Sequence, residues 1–395
     1  MRLPGIAAVF TVALTTACVE RAEVLGPARH GDAPARAVAD VALGDAHGCA
    51  ISGARLYCWG DNELGQLGLG DTLERHAPTL LDVAGSFRQV TAGARHSCAL
   101  DDLGRVACWG DNDRGQLGVG DREPRAEPAF VTLPTRATLV TSDFTHTCAV
   151  LGDATLYCWG KNDEGELGQG DPFPGNQSTD ADALTPVPVP GSYRAVETGQ
   201  GHTCAIRLDG TLWCWGRNTE HELGESDVIQ IRAPIQVGVD DDWLGVEAGQ
   251  SHTSGLRQDL SAYSWGLNTG FEGGGGAPLG IAGATLLETP TLLDAPNQFT
   301  LLRSDTFHAC AVDRRSSLFC WGRNTEGQLG LGDDVLRDVP TLVESGTAAV
   351  AVGRFTTCAV STAGNLACAG KNDAGQLGTG DTVDQRTLTP VAFPP

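Results

Sequence analysis

Positive charge is scarce in this sequence, and the shortage excludes several kinds of partner. Its 395 residues include 27 lysines and arginines against 49 aspartates and glutamates, for a formal net charge of −22. Proteins that bind nucleic acids present a basic face to the phosphates, so we expect no nucleic-acid partner. Charged residues make up only 19% of the chain while glycine contributes 52 residues, which is the composition of a loop-rich β protein and not of a disordered one.

Helical patterns and the common catalytic signatures are also missing. No stretch of useful length has the apolar periodicity of a helix. There is no nucleophile-elbow phrase, no His-Glu-x-x-His and no distinctive pair of carboxylates. We therefore name no catalytic residue, no metal site and no cofactor, and we expect that the protein is not an enzyme. An enzyme acting on a cell-envelope polymer is the alternative.

The N-terminal apolar run is too short to span a bilayer as a mature helix. It follows Arg2, covers residues 3–14 and ends in LTTAC, which together form the pattern of an export signal. Cys18 stands where a bacterial lipobox has its lipid-modified cysteine, although Thr15 occupies the position where that pattern usually has leucine. Ordinary signal cleavage after Ala17 is the alternative.

These features predict three segments and a location. We expect a signal peptide over 1–17, a lipid-anchored tether over 18–39 and a folded domain over 40–395. The mature protein is then exported to the bacterial cell envelope as a membrane-anchored lipoprotein, or is otherwise secreted. Its only membrane contact is expected to be the lipid on Cys18.

Twelve of the 13 cysteines form local pairs nine or ten residues apart. One further unit has serine at both equivalent positions, Ser254 and Ser264. Two halves of a disulfide are expected to be lost together, whereas buried thiols that only fill space are not. Reduced core thiols remain the alternative, but export permits disulfides. We predict hairpin disulfides between Cys49 and Cys58, Cys98 and Cys108, Cys148 and Cys158, Cys204 and Cys214, Cys310 and Cys320, and Cys358 and Cys368.

A long phrase recurs along the chain. CWGDNELGQLGLGD begins at Cys58, CWGDNDRGQLGVGD at Cys108 and CWGRNTEGQLGLGD at Cys320. Seven units of about fifty residues fill the chain from residue 40 onward, each with several short strands, and this pattern is typical of a β-propeller. Because the glycines recur in most units and no Gly-Lys-Ser follows, we interpret them as turn residues and not as a phosphate loop.

These motifs carry a family resemblance. The patterns H-[ST]-C-A-[LVI], CWGxN and GQLGxGD resemble the repeat of the regulator of chromosome condensation family. The resemblance implies an all-β, seven-bladed propeller of four-stranded antiparallel blades. It also implies that residues 388–393 pair beside the strands of the first unit, so that N- and C-terminal strands close the ring.

The same resemblance offers two functional precedents. One is a guanine-nucleotide exchange factor for a nuclear GTPase, which we do not expect here because the chain is predicted to leave the cytosol. The other is a secreted inhibitor of β-lactamase, which fits that location. We therefore predict a monomeric scaffold that binds a protein or another macromolecule through loops on one face.

Histidine recurs at one repeat position in six of the seven units, and in four of them it closes a Gly-x-x-His turn. A ring of metal ligands is one interpretation. We favour the other, in which each histidine is a turn residue that bonds its own or the neighbouring blade, because equivalent residues of different blades lie too far apart to share an ion. The six are His47, His96, His146, His202, His252 and His308.

Departures from the repeat are the expected binding positions. The third and fifth units carry insertions after the glycine-rich phrase, which we expect at the same station and on the same face. An acidic-aromatic cluster, residues 240–243, precedes the fifth histidine. Solvated variable loops are the alternative. The candidate partner-binding residues are Phe173, Asp180, Asp182, Trp243 and Phe271.

Overall fold

The computed structural model describes residues 37–170, 182–225, 227–268, 277–295 and 298–394, and every regular element in these ranges is a β-strand. The strands form seven four-stranded antiparallel sheets, the blades of a propeller. No helix in the described ranges could cross a membrane. The fold class predicted from the sequence is confirmed. The first strand begins at Val38, two residues before the predicted start of the domain.

Each blade takes four consecutive strands, numbered from the channel outward. Blades 1 to 3 consist of β1 (Val38–Leu43), β2 (His47–Ser52), β3 (Arg55–Gly60), β4 (Arg75–Leu80); β5 (Phe87–Ala92), β6 (His96–Asp101), β7 (Val106–Gly110), β8 (Arg125–Phe130); and β9 (Ala137–Asp143), β10 (His146–Leu151), β11 (Leu156–Gly160), β12 (Ala183–Val189).

The remaining four blades continue the same order. They consist of β13 (Tyr193–Thr198), β14 (His202–Arg207), β15 (Leu212–Arg217), β16 (Gln230–Gln236); β17 (Trp243–Ala248), β18 (His252–Arg257), β19 (Ala262–Leu267), β20 (Leu286–Leu292); β21 (Phe299–Ser304), β22 (His308–Asp313), β23 (Ser317–Gly322), β24 (Arg337–Ser345); and β25 (Thr347–Val352), β26 (Thr356–Ser361), β27 (Leu366–Gly370), β28 (Gln385–Pro390).

The ring does not close by pairing of its terminal strands, and that prediction is wrong. β28 pairs with β27 inside blade 7, and blade 1 is complete within residues 38–80. The two ends meet through individual hydrogen bonds and side-chain packing instead. The Val38 amide donates to the carbonyl of Gly364 at 3.0 Å, and the Gly380 amide donates to the carbonyl of His76 at 2.8 Å. The Phe393 ring packs 5.2 Å from the Tyr57 ring, and the Trp59 indole donates a 2.8 Å hydrogen bond to the carbonyl of Gln376. Blades 7 and 1 therefore join as separate sheets, by packing and individual hydrogen bonds, as do the other neighbouring blades.

All six predicted disulfides are confirmed. Each joins directly opposed residues of the second and third strands, with Cα atoms 4.1 Å apart and both cysteines fully buried. In blade 5 the hydroxyls of Ser254 and Ser264 occupy the same opposed positions, 3.1 Å apart. The disulfide sulfurs lie in the apolar layers between blades, and five of the six disulfides share their layer with the indole of a recurring tryptophan.

Candidate functional site

The recurring histidines connect neighbouring blades. The Nε2 atom of His146 lies 2.8 Å from the hydroxyl of Thr203 in the next blade. That hydroxyl donates to the carbonyl oxygen of Glu166, so it accepts from the histidine, which fixes the proton on Nε2. The Trp215 indole donates to the same carbonyl. Equivalent contacts join His47, His96, His202 and His308 to the next blade.

This arrangement confirms a structural role for the histidines, although the partner is a side-chain hydroxyl. Burial lowers the pKa of His47 to about 4 and that of His308 to about 3, which keeps the rings neutral. Among the described residues, no group of three or more potential ligands is placed to hold a metal ion.

The glycine-rich phrase is a structural device as well. The side chain of Asn62 accepts from the amide of Leu67 and donates to the carbonyls of Asp71 and Leu73, which ties the loop together. Gly68 has a φ of +71°, and a Cβ there would come within 2.9 Å of the Trp109 indole in the next blade. Only glycine meets both demands, and the same geometry recurs in five other blades.

The two faces of the ring differ in what they carry. The first and third strands of each blade both end on the side of the ring where the Gly-x-x-His turns lie. In blade 1, for example, His47 at the start of the second strand is opposite Gly60 at the end of the third. The glycine-rich phrases follow on that side, and we call it the phrase face. The hairpins between second and third strands lie on the other side, the hairpin face. A partner that contacts the glycine-rich phrases would therefore bind to the phrase face.

A row of exposed aliphatic side chains lies at the rim of the phrase face. Leu73, Val335 and Val383 occupy one repeat position in blades 1, 6 and 7, which are consecutive around the ring, and their exposed fractions are 65%, 57% and 61%. We call these three residues the aliphatic arc. Blade 2 has Glu123 at this position.

The same turn geometry recurs in these blades and holds the side chains of the arc in solvent. The carboxylate of Asp71 accepts from the amide of Leu73 at 3.0 Å and pairs with Arg75 at 2.7 Å. In blade 6, Asp333 makes the same bonds to the Val335 amide and to Arg337. Because the turns are fixed by these bonds and not by the aliphatic side chains, the side chains are available for contact with another molecule.

Aromatic and cationic side chains lie closer to the centre of the same face. The rings of Phe307 and Phe355 stack with centroids 5.2 Å apart. The guanidiniums of Arg323 and Arg354 lie 5.0 and 5.4 Å from the centroids of Phe307 and Phe355, respectively. The Lys371 ammonium lies 5.7 Å from the Phe355 ring. Each of these three cations also has a carboxylate partner within the chain: Glu326 for Arg323, Asp45 for Arg354 and Asp373 for Lys371. Blades 6 and 7 thus combine an inner group of paired charges with the aliphatic arc outside it.

The first strands of all seven blades line a central cavity of about 270 Å³. The residue opposite the first cysteine position defines a middle level, which includes Glu197, Glu247 and Arg303. Arg303 pairs with Glu247 at 2.6 Å, and Thr141 donates to Glu197 at 2.7 Å. Two residues earlier in each strand, five of the seven positions form an apolar level: Leu139, Ala195, Gly245, Leu301 and Ala349.

Carboxylates line the mouth of this cavity on the phrase face. Asp143 and Asp305 stand where the other five blades have the glycine of Gly-x-x-His. Burial and the nearby carboxylate of Asp45 together raise the pKa of Asp305 to about 6. Burial and the charges of Asp305, Asp45 and Glu197 raise the pKa of Asp143 well above its usual range. Beside the mouth, Asp45 pairs with Arg354 at 3.4 Å.

Trp243 is not an exposed anchor, and that prediction is wrong. Its side chain is 1% exposed and packs against Tyr263 and Trp265, with ring centroids 5.7 and 5.9 Å away. Arg257 covers the indole and pairs with Asp240. Trp243 begins the first strand of its blade, at the buried position that Phe87, Tyr193 and Phe299 occupy in other blades.

Asp182 is also unavailable as a free acidic contact. Its carboxylate is 3% exposed and pairs with Arg122 at 2.8 Å and Arg114 at 3.5 Å. Phe173, Asp180, Phe271 and Cys18 lie outside the described residues, so their predicted roles stay predictions.

The insertions of the third and fifth units lie at different positions of the repeat, so the prediction of a shared position is wrong. Asn268 accepts from the Leu279 amide eleven residues later, whereas the equivalent pairs elsewhere are five residues apart. The insertion of the fifth unit therefore lies before the phrase leucine. Pro278 then takes the position of the phrase glutamine, and its carbonyl accepts from the Trp321 indole. In the third unit the additional residues lie after Gly168, because Ala183 is the residue that pairs with Gly160.

Comparisons with known proteins agree with this geometry. The regulator of chromosome condensation (RCC1) repeat model matches residues 54–100, 104–150, 153–206, 209–256 and 316–360. The Arabidopsis thaliana ultraviolet-B receptor UVR8 is 29% identical over 315 residues, which are 78% of this chain and 58% of that protein. The chain thus spans little more than half the length of that relative.

Two solved structures share the fold. Human WBSCR16 superposes with a TM-score of 0.75 at 18% identity, covering 86% of this chain and 94% of that one. Yeast RCC1 (Prp20), solved bound to Kap60, has a TM-score of 0.74 at 20% identity, covering 92% and 86%. The repeat matches extend over more than half of the sequence, and the chain belongs to the regulator of chromosome condensation repeat family.

Proposed function

We propose that this protein is an exported scaffold, anchored by a lipid on Cys18, that binds a protein partner through the phrase face of blades 6, 7 and 1. The aliphatic arc is the observation that carries the proposal. Leu73, Val335 and Val383 are exposed on consecutive blades, and aliphatic side chains held outward by polar turns contribute more to a complex than to the fold.

The chemistry inside the arc indicates what the partner presents. Arg323, Arg354 and Lys371 surround a pair of stacked phenylalanines. A partner with an apolar strip bordered by polar side chains fits this arrangement, because burial of the strip supplies affinity and the paired charges inside the arc supply polar contacts that orient it. The precedent of a family fold that binds proteins is yeast RCC1, which was solved in complex with Kap60.

Export is supported by the covalent structure. Six disulfides are buried in a chain whose N-terminus has the pattern of a signal with a lipobox. Disulfides of this kind persist in oxidising compartments and are rare in the cytosol. We infer a position in the bacterial cell envelope, where the tether of residues 18–39 holds the propeller at a membrane surface.

Site-specific photo-crosslinking in the native envelope tests the binding face. A photoreactive amino acid at position 73, 335 or 383 is expected to capture one and the same partner. Positions 103 and 208, whose leucines are 54% and 61% exposed on the hairpin face, are the matched controls and should not capture it. A partner captured equally from both faces, or only from positions 103 and 208, contradicts the proposal.

The two inserted segments are proposed to contribute to the same partner. Deleting residues 172–179 and 270–275 restores the spacing of the other units while leaving Pro278 and Leu279 in place. We expect an unchanged melting temperature and weaker capture. If capture is unchanged, the insertions play no part and the arc carries the contact alone.

The carboxylates at the cavity mouth favour a second candidate function, hydrolysis of an envelope polymer. Asp143 and Asp305 have raised pKa values, as a general acid requires. We place this function second because a cavity of about 270 Å³ accommodates a small molecule and not a polymer chain. Turnover of envelope glycans that is abolished by Asp143→Asn would reverse the order.

A further inference from the structure

The chain enters the propeller on the hairpin face. β1 begins at Val38 and ends at Leu43, where the turn that leads to His47 lies on the phrase face. The start of β1 is therefore at the other end of the strand. There the Val38 amide donates a 3.0 Å hydrogen bond to the carbonyl of Gly364, which belongs to the hairpin turn between β26 and β27 of blade 7. The fold thus fixes the side of the ring at which the chain enters.

The point of entry also lies beside the central cavity. Val38 is part of an innermost strand and lines that cavity. Neighbouring strands are about 4.8 Å apart, so the outermost strand of a blade lies about 15 Å farther from the axis of the ring. A six-residue strand such as β1 separates the two faces by about 20 Å. Around the rim, the phrase face is therefore about 35 Å away from the point of entry.

The proposed lipid anchor is close to this point along the chain. Cys18 lies 19 residues before Ala37, and a segment of this length spans at most about 65 Å. A membrane on the side of the hairpin face is reached directly. A membrane on the side of the phrase face requires a detour that takes more than half of that greatest length, and holding a chain so extended costs conformational entropy. The position of the anchor therefore favours the side of the hairpin face.

Three exposed aliphatic side chains are available for contact with such a membrane. Leu103 and Leu208 lie in the hairpin turns of blades 2 and 4, and Val239 lies in the loop between β16 and β17. Their exposed fractions are 54%, 61% and 89%. The Leu103 amide donates to the carboxylate of Asp101 at 3.0 Å, so polar bonds hold this turn and its leucine side chain is available for contact. Aliphatic side chains at loop tips gain free energy when they enter a bilayer interface.

Charge gives no reason for attraction of this face to anionic lipids. Exposed side chains of both signs lie in its loops, among them Arg105, Arg136, Asp102 and Asp209. The whole chain has a net charge of −22, and negative headgroups attract basic segments but not an acidic protein. A contact made by the hairpin face therefore depends on the anchor and on aliphatic side chains, and we expect it to persist at high salt.

We propose that the hairpin face is turned towards the membrane, with Leu103, Leu208 and Val239 at the bilayer interface, and that the phrase face points away from it. This orientation rests on the proposed function, because it requires the lipid on Cys18. It leaves the aliphatic arc open to a partner in the aqueous space. The partner of the hairpin face is then the lipid surface to which the protein is already attached.

Resonance energy transfer to a labelled membrane tests this orientation. The lipid-carrying protein is added to preformed phosphatidylcholine vesicles that contain an acceptor-labelled lipid, and a fluorescent amino acid in the protein is the donor. Donor positions are 84 and 363 on the hairpin face and 72 and 123 on the phrase face, all of them exposed. Because the faces are about 20 Å apart, we expect a transfer efficiency about twofold or more higher from positions 84 and 363, at low and at high salt.

Two variants separate the contribution of the anchor from that of the side chains. An insertion of about twenty glycine and serine residues after residue 36 makes the detour less costly, so it should reduce the difference between the faces. Leu103→Ser/Leu208→Ser/Val239→Ser removes the aliphatic contact and should lower the transfer from positions 84 and 363. The matched control is Leu73→Ser/Val335→Ser/Val383→Ser, which changes three exposed aliphatic residues of the other face and should leave the transfer unchanged.

Intact mass and energy transfer together distinguish the possible failures. Protein that carries no lipid on Cys18 overturns the anchor and, with it, this orientation. Lipid-carrying protein with equal transfer from both faces, or with greater transfer from positions 72 and 123, overturns the orientation alone. The aliphatic arc is tested separately by capture of its partner, so the proposed partner face does not depend on this result.

Discussion

The Nε2 atom of His308 lies 2.8 Å from the hydroxyl of Thr357 in the next blade, and this contact recurs between most neighbouring blades. Where this contact is missing between blades 7 and 1, both of its residues are replaced. Blade 7 has Thr356 in place of the histidine, and the following blade has Gly48 in place of the hydroxyl. Blade 5 is different, because His252 is retained while the next blade has Ala309, and the His252 Nε2 atom has no partner among the described residues.

Ala309→Thr should therefore stabilise the protein. The new hydroxyl gives the His252 Nε2 atom its missing partner, and one buried hydrogen bond contributes about 1 kcal/mol to the free energy of unfolding. Ala309→Val has the same shape without the hydroxyl and is the control. Urea unfolding measures both variants. Equal stability of the threonine and valine variants would show that the histidine contact contributes nothing.

A seventh disulfide should form in blade 5. Ser254 and Ser264 are directly opposed in the register that the six cysteine pairs share, so Ser254→Cys/Ser264→Cys places two thiols in bonding positions. Closing this short loop should add about 2–3 kcal/mol to the free energy of unfolding. Peptide mapping without reductant identifies the bond. Two free thiols in the folded, oxidised protein would contradict the prediction.

The buried histidines should destabilise the fold in acid. Their pKa values fall from 6.5 to about 4 for His47 and His252 and to about 3 for His96, His146 and His308 because burial disfavours the charged ring. The unfolded chain therefore binds more protons below pH 6.5, and the free energy of unfolding falls as the pH falls from 6.5 towards 4. Each histidine contributes up to about 3 kcal/mol to this loss.

The pH dependence has an internal check. His47→Gln keeps an N–H donor for Ser97 but does not titrate, so its stability should fall less steeply, by up to about 1.4 kcal/mol per pH unit. Asp143 and Asp305 act in the opposite direction, since a raised pKa makes the folded state bind the extra proton. Four more carboxyl groups have raised pKa values and act in the same direction as these two: Asp45, Asp111, Glu166 and Glu220. The comparison of His47→Gln with the wild type cancels these contributions because both proteins share them. Urea unfolding at pH 4 to 7 that shows no difference between His47→Gln and wild type would contradict the pKa assignment.

Intact-mass measurement tests the predicted anchor. The membrane fraction should contain a chain that begins at Cys18 and carries a lipid, as the LTTAC pattern predicts. Cys18→Ser is the control and should release the protein from the membrane. An unmodified N-terminus at Cys18 in the wild type would show that the chain is simply secreted.

The repeat made some features predictable and others not. The blade number and the six disulfides followed from comparing equivalent positions, above all from the joint replacement at Ser254 and Ser264. The prediction of an exposed Trp243 fails because it rests on the acidic residues beside it and not on its position in the repeat. Alignment with Phe87, Tyr193 and Phe299 would have identified a core position. Ring closure by strand pairing rests on the family resemblance alone, and the order of strands along the chain does not show at which strand a blade begins.

The sites on the surface and in the channel needed the folded structure. Leu73, Val335 and Val383 each follow a Gly-Asp pair, which was a sequence signal, but only the fold shows that they are exposed on consecutive blades. Asp143 and Asp305 are 162 positions apart, and the ring brings them to one mouth. The local sequence shows where along its strand a residue lies, whereas its neighbours from other blades across the channel depend on how the ring closes.

The dissociation constant of the captured partner for an arc variant tests the central claim most directly. Leu73→Ser/Val335→Thr/Val383→Thr removes the exposed aliphatic surface, and the hairpin-face variant Leu103→Ser/Leu208→Ser is its control. Burial of each arc residue is worth about 1 kcal/mol or more, so we expect at least about hundredfold weaker binding for the arc variant and none of this loss for the control. Equal dissociation constants for the wild type and a folded arc variant would contradict a partner site on this face.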